Sequence, residues 1–139
     1  MDHSPWHAGE KQLQAHVGVA ERMEALGRRV VRTEMPDQHR AFYEQLPFML
    51  VGSVDSAGQP WASVLVGRPG FVQAISAKKL DFHVRPIPGD PLAQGIVPGA
   101  QLGFLGIELH TRRRNRVNGH IVATGAESFS VEVDQSVGN

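Results

Sequence analysis

Four arginines crowd the run Thr111-Arg112-Arg113-Arg114-Asn115-Arg116-Val117-Asn118-Gly119-His120-Ile121. A guanidinium is a planar cation with five donors that match phosphate or carboxylate, so the chemistry on offer is anion recognition. The bland alternative is a solvated edge that deters strand pairing between molecules, or partners for Glu108 and other carboxylates. Arg68 and Arg85 are further cations outside the run. His83 stands at an otherwise apolar strand position, where a hydrogen-bonded core histidine is the common explanation. His3 and His7 are four apart, but Pro5 lies between them and no carboxylate completes a ligand set, so no metal is expected. The chain has neither a Gly-x-Ser-x-Gly elbow nor a Gly-x-x-x-x-Gly-Lys loop, and no catalytic acid, base or nucleophile identifies itself. Trp61 reads either as core or as the lining of a pocket.

The elements that must position these groups belong to a chain of 139 residues, which by size is one domain with one site. Fourteen basic residues balance fourteen acidic ones, so there is no overall field to gather nucleic acid or an acidic membrane, and anion binding must be local. The basic residues are not interleaved with aromatics, which again argues against nucleic acid. With no cysteine there is no disulfide, thiol nucleophile or cysteine-based cluster. The start, Met1-Asp2-His3-Ser4-Pro5-Trp6-His7, lacks the basic and apolar segments of a signal peptide, and no apolar stretch is long enough to span a bilayer. The expectation is a cytoplasmic protein without a membrane partner.

Leu13, Val17, Ala20, Met23 and Leu26 recur at helical spacing, predicting an amphipathic helix over 11–26 with Gly27 just past its end. A second, shorter helix capped by Thr33 or Asp37 reaches Leu46, with Phe42, Tyr43 and Leu46 as its apolar side, and Pro47 stops it. Strands follow at 48–54 and 60–66, joined by the tight turn Asp55-Ser56-Ala57-Gly58, and then at 71–75, 80–85, 100–109, 114–124 and 127–133. In the arginine-rich strand Val117, Gly119, Ile121 and Ala123 share one face, with Arg116, Asn118, His120 and Val122 on the other. Six or seven short strands favour an antiparallel barrel over a parallel α/β sheet. Between them, Asp90 and Pro91 suit the start of a helical turn, whose unpaired amides attract phosphate.

Taken in order, Ser4-Pro5-Trp6-His7-Ala8-Gly9-Glu10, Gly58-Gln59-Pro60-Trp61-Ala62-Ser63, Gly67-Arg68-Pro69-Gly70-Phe71-Val72, Gly89-Asp90-Pro91-Leu92, the segment 111–119 and Gln135-Ser136-Val137-Gly138-Asn139 form a set. With it the chain resembles the FMN-binding split β-barrel proteins related to pyridoxamine 5′-phosphate oxidase. The resemblance implies a mainly β (α+β) fold: a six- to seven-stranded antiparallel split β-barrel of Greek-key type over 47–139, preceded by a helical segment over 1–46. It implies FMN as cofactor, a flavin-dependent oxidoreductase of unassigned substrate, and a homodimer with flavin at the interface.

By the same resemblance Ser63, Val64, Leu65 and Val66 run along the flavin, Arg68 meets its phosphate, and His83 and Val84 come from the next long strand. Where relatives place an Arg-Lys pair this chain has Gly89-Asp90, which leaves phosphate to backbone amides around Leu92 with Arg68 and Arg85. Arg114 aligns with a glutamine directed at the flavin of the neighbouring subunit, and Gln135 and Ser136 with another contact across subunits. Relatives continue past Gly-Asn with Cys-Pro-Lys-Tyr, and the ending at Asn139 points away from a full pyridoxamine phosphate oxidase site. The rival readings are a non-catalytic flavin carrier, a module that docks a redox partner protein through an open barrel edge, and a remnant whose main property is dimerisation.

Overall fold

The computed structural model describes residues 3–138, so Met1, Asp2 and Asn139, the last of which closes the Gln135-to-Asn139 motif, lie outside it. It divides into two compact units, Met1–Arg32 and Thr33–Asn139. The division falls after Arg32 and leaves the second expected helix with the barrel strands.

In the first unit α1 (Ala8–His16) and α2 (Ala20–Val30) are followed by a two-residue extended segment, β1 (Val31–Arg32). The periodicity that predicts one helix over 11–26 runs through both, but Gly18 at φ +73° breaks the chain between them. Glycine carries little steric cost there, whereas a side chain would be strained. His7 caps α1: its Nδ1 accepts from the amides of Gly9 and Glu10 at 3.1 and 3.3 Å, while the Glu10 carboxylate accepts from the His7 amide at 2.9 Å. Gly27 lies inside α2 and does not end it. The Trp6 indole donates to the Met23 carbonyl at 2.9 Å and covers Gly27 so closely that a Cβ would stand 2.6 Å from the ring.

The second unit opens with α3 (Asp37–Glu44), whose Pro36 cap makes no side-chain hydrogen bond. Strands β2 (Phe48–Val54), β3 (Pro60–Val66), β4 (Val72–Ser76) and β5 (Lys79–Phe82) follow. A short α4 (Leu92–Gly95) then leads to β6 (Gln101–Glu108), β7 (Arg113–Thr124) and β8 (Phe129–Gly138). Their order is β3-β2-β6-β7-β8-β5-β4, with every pair on this path antiparallel. Two hairpins made early in the chain thus flank three strands made late, which is the expected antiparallel split-barrel arrangement.

The expected boundaries shift by a residue at several strands and by more at two. β5 ends at Phe82, before His83, and β8 runs on to Gly138 because Gln135 to Gly138 find partners in Asn118 to Asn115. Period-two alternation sends Met49, Val51, Leu65, Phe104, Val117, Ile121 and Val131 into the core. Ala123 leaves that face because the register slips between Ile121 and Ala123. Phe42 and Tyr43 of α3, with Leu46 just beyond it, pack over Gly106, where a Cβ would come within 3.1 Å of all three.

Candidate functional site

The arginine run enters β7 as expected, but its members separate. Arg112 sits in the turn at φ 61°. Arg113 holds α3: its guanidinium donates to the Gln38 carbonyl at 3.0 Å and stacks 4.7 Å from the Phe42 ring centroid. Arg114 and Arg116 point outward, exposed and without a partner among the described residues. Glu108, the carboxylate available to them, is taken by Gln45 at 2.9 Å and Thr111 at 2.7 Å.

The outer face of the sheet is apolar around those two cations. Val64, Leu50, Leu105, Arg116 and Val137 occupy one row across five strands, in register. Val66 pairs with Phe48 and Ile107 with Arg114 in the next row. Leu50, Val64, Leu105 and Val137 are half-buried, and Val66 is exposed.

At the end of β3, Arg68 is held in a tight turn. The Gly67 amide donates to the Pro47 carbonyl at 3.0 Å, the Phe71 amide donates to the Arg68 carbonyl at 3.0 Å, and the Phe71 ring covers Gly67. The Arg68 side chain is exposed, with no partner among the described residues. It lies at the Arg114 end of the face, three strand spacings or about 14 Å away, too far for both to hold one phosphate within a chain.

Asp90 is committed to structure. Its Oδ1 accepts from the Ser63 hydroxyl at 2.7 Å and from the Leu92 amide at 2.8 Å. Ser63 is buried on β3, so this carboxylate ties the 83–92 segment to the strand and holds the Leu92 amide; the N-cap of α4 is Pro91, one residue later than the expected Asp90, and carries no side-chain cap. The amides expected to receive phosphate are therefore used: Leu92 by Asp90 Oδ1, Ala93 by the Asp90 carbonyl at 3.1 Å, and Gln94 by the Pro91 carbonyl at 3.2 Å. Arg85 is also engaged, donating to the Ala126 carbonyl and standing 3.5 Å from Glu127. With Val84, Ile96, Thr124 and Ser128 it lines a cleft of about 620 Å³.

His83 is exposed, not a core histidine, because the chain has left β5; its amide donates to the Phe71 carbonyl at 2.7 Å. Leu65 and Ser136 face the interior. Leu65 is fully buried in the core, and the equally buried Ser136 hydroxyl lies 3.0 Å from His39 Nδ1. Alternation puts their neighbours Val64, Val66 and Gln135 outside, where Gln135 Oε1 accepts from Asn118 at 3.3 Å.

Three side-chain pairings escaped sequence reasoning. Asn118 joins Gln135 only through the β7–β8 register. Trp61 is 44% exposed and donates to Asp55 at 2.9 Å, which with the Gln59 and Ala57 amides holds the Asp55 carboxyl below its usual range. His120 Nδ1 lies 3.0 Å from the Asp134 carboxylate, whose hydrogen bond and charge, with Glu132, raise its pKa against a smaller opposing effect of desolvation. Asp134 reaches it because β8 bulges there, which no sequence signal marked.

No protein-family model and no curated protein matches the sequence. The fold, however, recurs in solved structures. An FMN-binding protein from Syntrophomonas wolfei subsp. wolfei aligns over 91% of this chain and 95% of its own, with TM-score 0.55 and 11% identity. The chain has the split-barrel fold of pyridoxamine 5′-phosphate oxidase-like proteins. A Lactobacillus delbrueckii protein classed with the pyridoxamine 5′-phosphate oxidases matches 75% of this chain and 92% of its own, with TM-score 0.55 and 10% identity. HupZ of Group A Streptococcus matches 73% and 91%, with TM-score 0.56 and 10% identity. At such identities the likeness is one of fold. No described helix is long and apolar enough to cross a membrane.

Proposed function

We propose that this chain binds FMN on the outer face of its barrel and works as a flavin-dependent oxidoreductase in a homodimer. One observation carries the reading: the Arg68 guanidinium, without a partner among the described residues, stands on a held turn at the end of edge strand β3, beside the outward apolar side chains Val64 and Val66. The residues fit the cofactor on those terms. Arg68 offers five donors to a phosphate, and β3, as the last strand of the path, leaves one row of backbone groups without a strand partner. Val64 and Val66 give an apolar surface for a ring. When bound, the flavin supplies the redox chemistry. The protein's part is to hold the phosphate through Arg68 and to fix the neighbouring loop through the Ser63–Asp90–Leu92 link.

The dimer is supported by the outer face itself. Arg114 stands at one end, Glu132 and Asp134 at the other beside His120, and the row of Val64, Leu50, Leu105, Arg116 and Val137 lies between. A twofold axis lying in the plane of this face, across the strands, would set each basic end against the partner's acidic end over a mainly apolar centre.

The test is anaerobic. Protein loaded with FMN is mixed with NADH or NADPH while flavin absorbance is followed, and its mass is measured in solution. Bleaching by either donor in a dimer supports the reading. Bound FMN that neither donor reduces would refute the oxidoreductase, and a monomer that holds FMN tightly would refute the interface.

A further inference from the structure

The cleft of about 620 Å³ that Arg85 borders has no part in the flavin reading. It opens between the segment that follows β5 and the hairpin that joins β7 to β8. Its floor is the margin of the core: Val84 and Ile96 pack half-buried against it, and the buried Phe129 stacks on Phe82 with ring centroids 4.8 Å apart. None of the lining residues belongs to β3 or to the outer sheet face assigned to the dimer.

The walls are in place before a ligand arrives. On one side Pro86 and Pro88 have a fixed φ, and their segment is tied to β3 through Asp90 and Ser63. On the other, the Gly125 amide donates to the Ser128 carbonyl at 2.7 Å and closes the hairpin tip. The Ser128 hydroxyl stands at this wall, so near Gly125 that a Cβ there would come within 2.7 Å of it. Arg85 spans the two sides, its Nε donating to the Ala126 carbonyl. That bond orients the guanidinium and leaves its terminal nitrogens without a hydrogen bond among the described residues. Glu127, 3.5 Å from Nε, is 81% exposed, and such a pair is worth little in water.

We propose that this cleft binds a small aliphatic monocarboxylate. Its chain lies on Val84, Ile96 and Phe129, and its carboxylate accepts from the Arg85 terminal nitrogens and the Ser128 hydroxyl. The lining decides the class. Proline, valine and isoleucine side chains present no flat ring face, and Phe129, only 2% exposed, presents almost none, so a flexible chain fits better than a planar ring. One cation serves the cleft and Glu127 stands beside it, so a second negative charge on the ligand would be repelled. Arg85, expected at the flavin phosphate, is turned to this hairpin instead, and the site stands apart from the FMN reading.

The probe is octanoate. Octanol keeps the chain and loses the charge, and acetate keeps the charge and loses the chain, so these are its controls. The readout is the movement of backbone amide signals in NMR titrations of the full chain. Octanoate should bind below millimolar concentration and move the amides of Val84, Ile96, Ala126 and Ser128. Octanol should bind the same place about tenfold more weakly, and millimolar acetate should move nothing. In Arg85→Ala octanoate should weaken about tenfold while octanol binds as before, which reports that the cleft still forms. Ala93→Phe, at an exposed position of the lining, should weaken both chain ligands while circular dichroism and melting temperature stay at the wild-type values. No binding at millimolar octanoate, shifts centred on other residues, equal affinity for octanoate and octanol, or unchanged octanoate affinity in Arg85→Ala would overturn the proposal. FMN titrated with and without saturating octanoate reports separately on the flavin site: its affinity should not change, and competition between the two would overturn the proposal of a separate site.

Discussion

Replacing Asp90 with alanine removes two hydrogen bonds to one carboxylate, from the Ser63 hydroxyl at 2.7 Å and the Leu92 amide at 2.8 Å. Bonds to charged groups contribute about 1.5–3 kcal/mol each when well shielded. Asp90 is only half-buried, so the pair is placed at about 2–4 kcal/mol, including the cost of leaving the buried Ser63 hydroxyl without its acceptor. With a urea slope of about 2 kcal/mol/M, the unfolding midpoint falls by about 1–2 M at unchanged slope. Ser63→Ala removes one of the two bonds and costs about 1–2 kcal/mol. The double variant should be no less stable than Asp90→Ala, because the Ser63 bond is lost in both. An Asp90→Ala midpoint within about 0.5 kcal/mol of wild type, or strictly additive losses, would refute the link and return Asp90 to a free surface turn.

Tyr43→Phe should leave stability unchanged or raise it by about 1 kcal/mol in thermal melts, since the buried hydroxyl has no hydrogen-bond partner among the described residues. Gly119→Ala should cost about 3 kcal/mol or prevent folding, because its Cβ collides with the Glu132 carbonyl oxygen and comes within 2.6 Å of Val131; circular dichroism on heating measures this. His120 should titrate above its ordinary value of 6.5 by NMR and move back toward it in Asp134→Asn. The folded pKa is the raised one, so the pair's stabilisation is full below the unfolded value and fades as pH rises through the folded one.

The barrel was legible because its strands alternate cleanly. Residues 48–54 and 60–66 were bounded correctly by Pro47 and the Asp55-to-Gly58 turn, and the apolar face of β7 could be read up to Ile121. What escaped depends on tertiary pairing. His83 looked buried because nothing local says that β5 stops at Phe82. Ser136 and Gln135 looked equivalent in a tail motif until β8 paired with β7 and turned one inward. The Leu92 amides looked free for phosphate because the Asp90 side chain's partner, Ser63, is 27 residues away in sequence. The break at Gly18 was hidden by apolar spacing that continues across it.

The flavin account rests on Arg68, and equilibrium titration with FMN and riboflavin tests it, using visible absorption of wild type and Arg68→Ala. Wild type should take up FMN at micromolar concentration or below. Arg68→Ala should bind it about tenfold to a hundredfold more weakly, while riboflavin, which lacks the phosphate, binds both proteins alike. Wild-type protein that takes up no FMN at micromolar concentration, or equal FMN affinity in the two proteins, would contradict it.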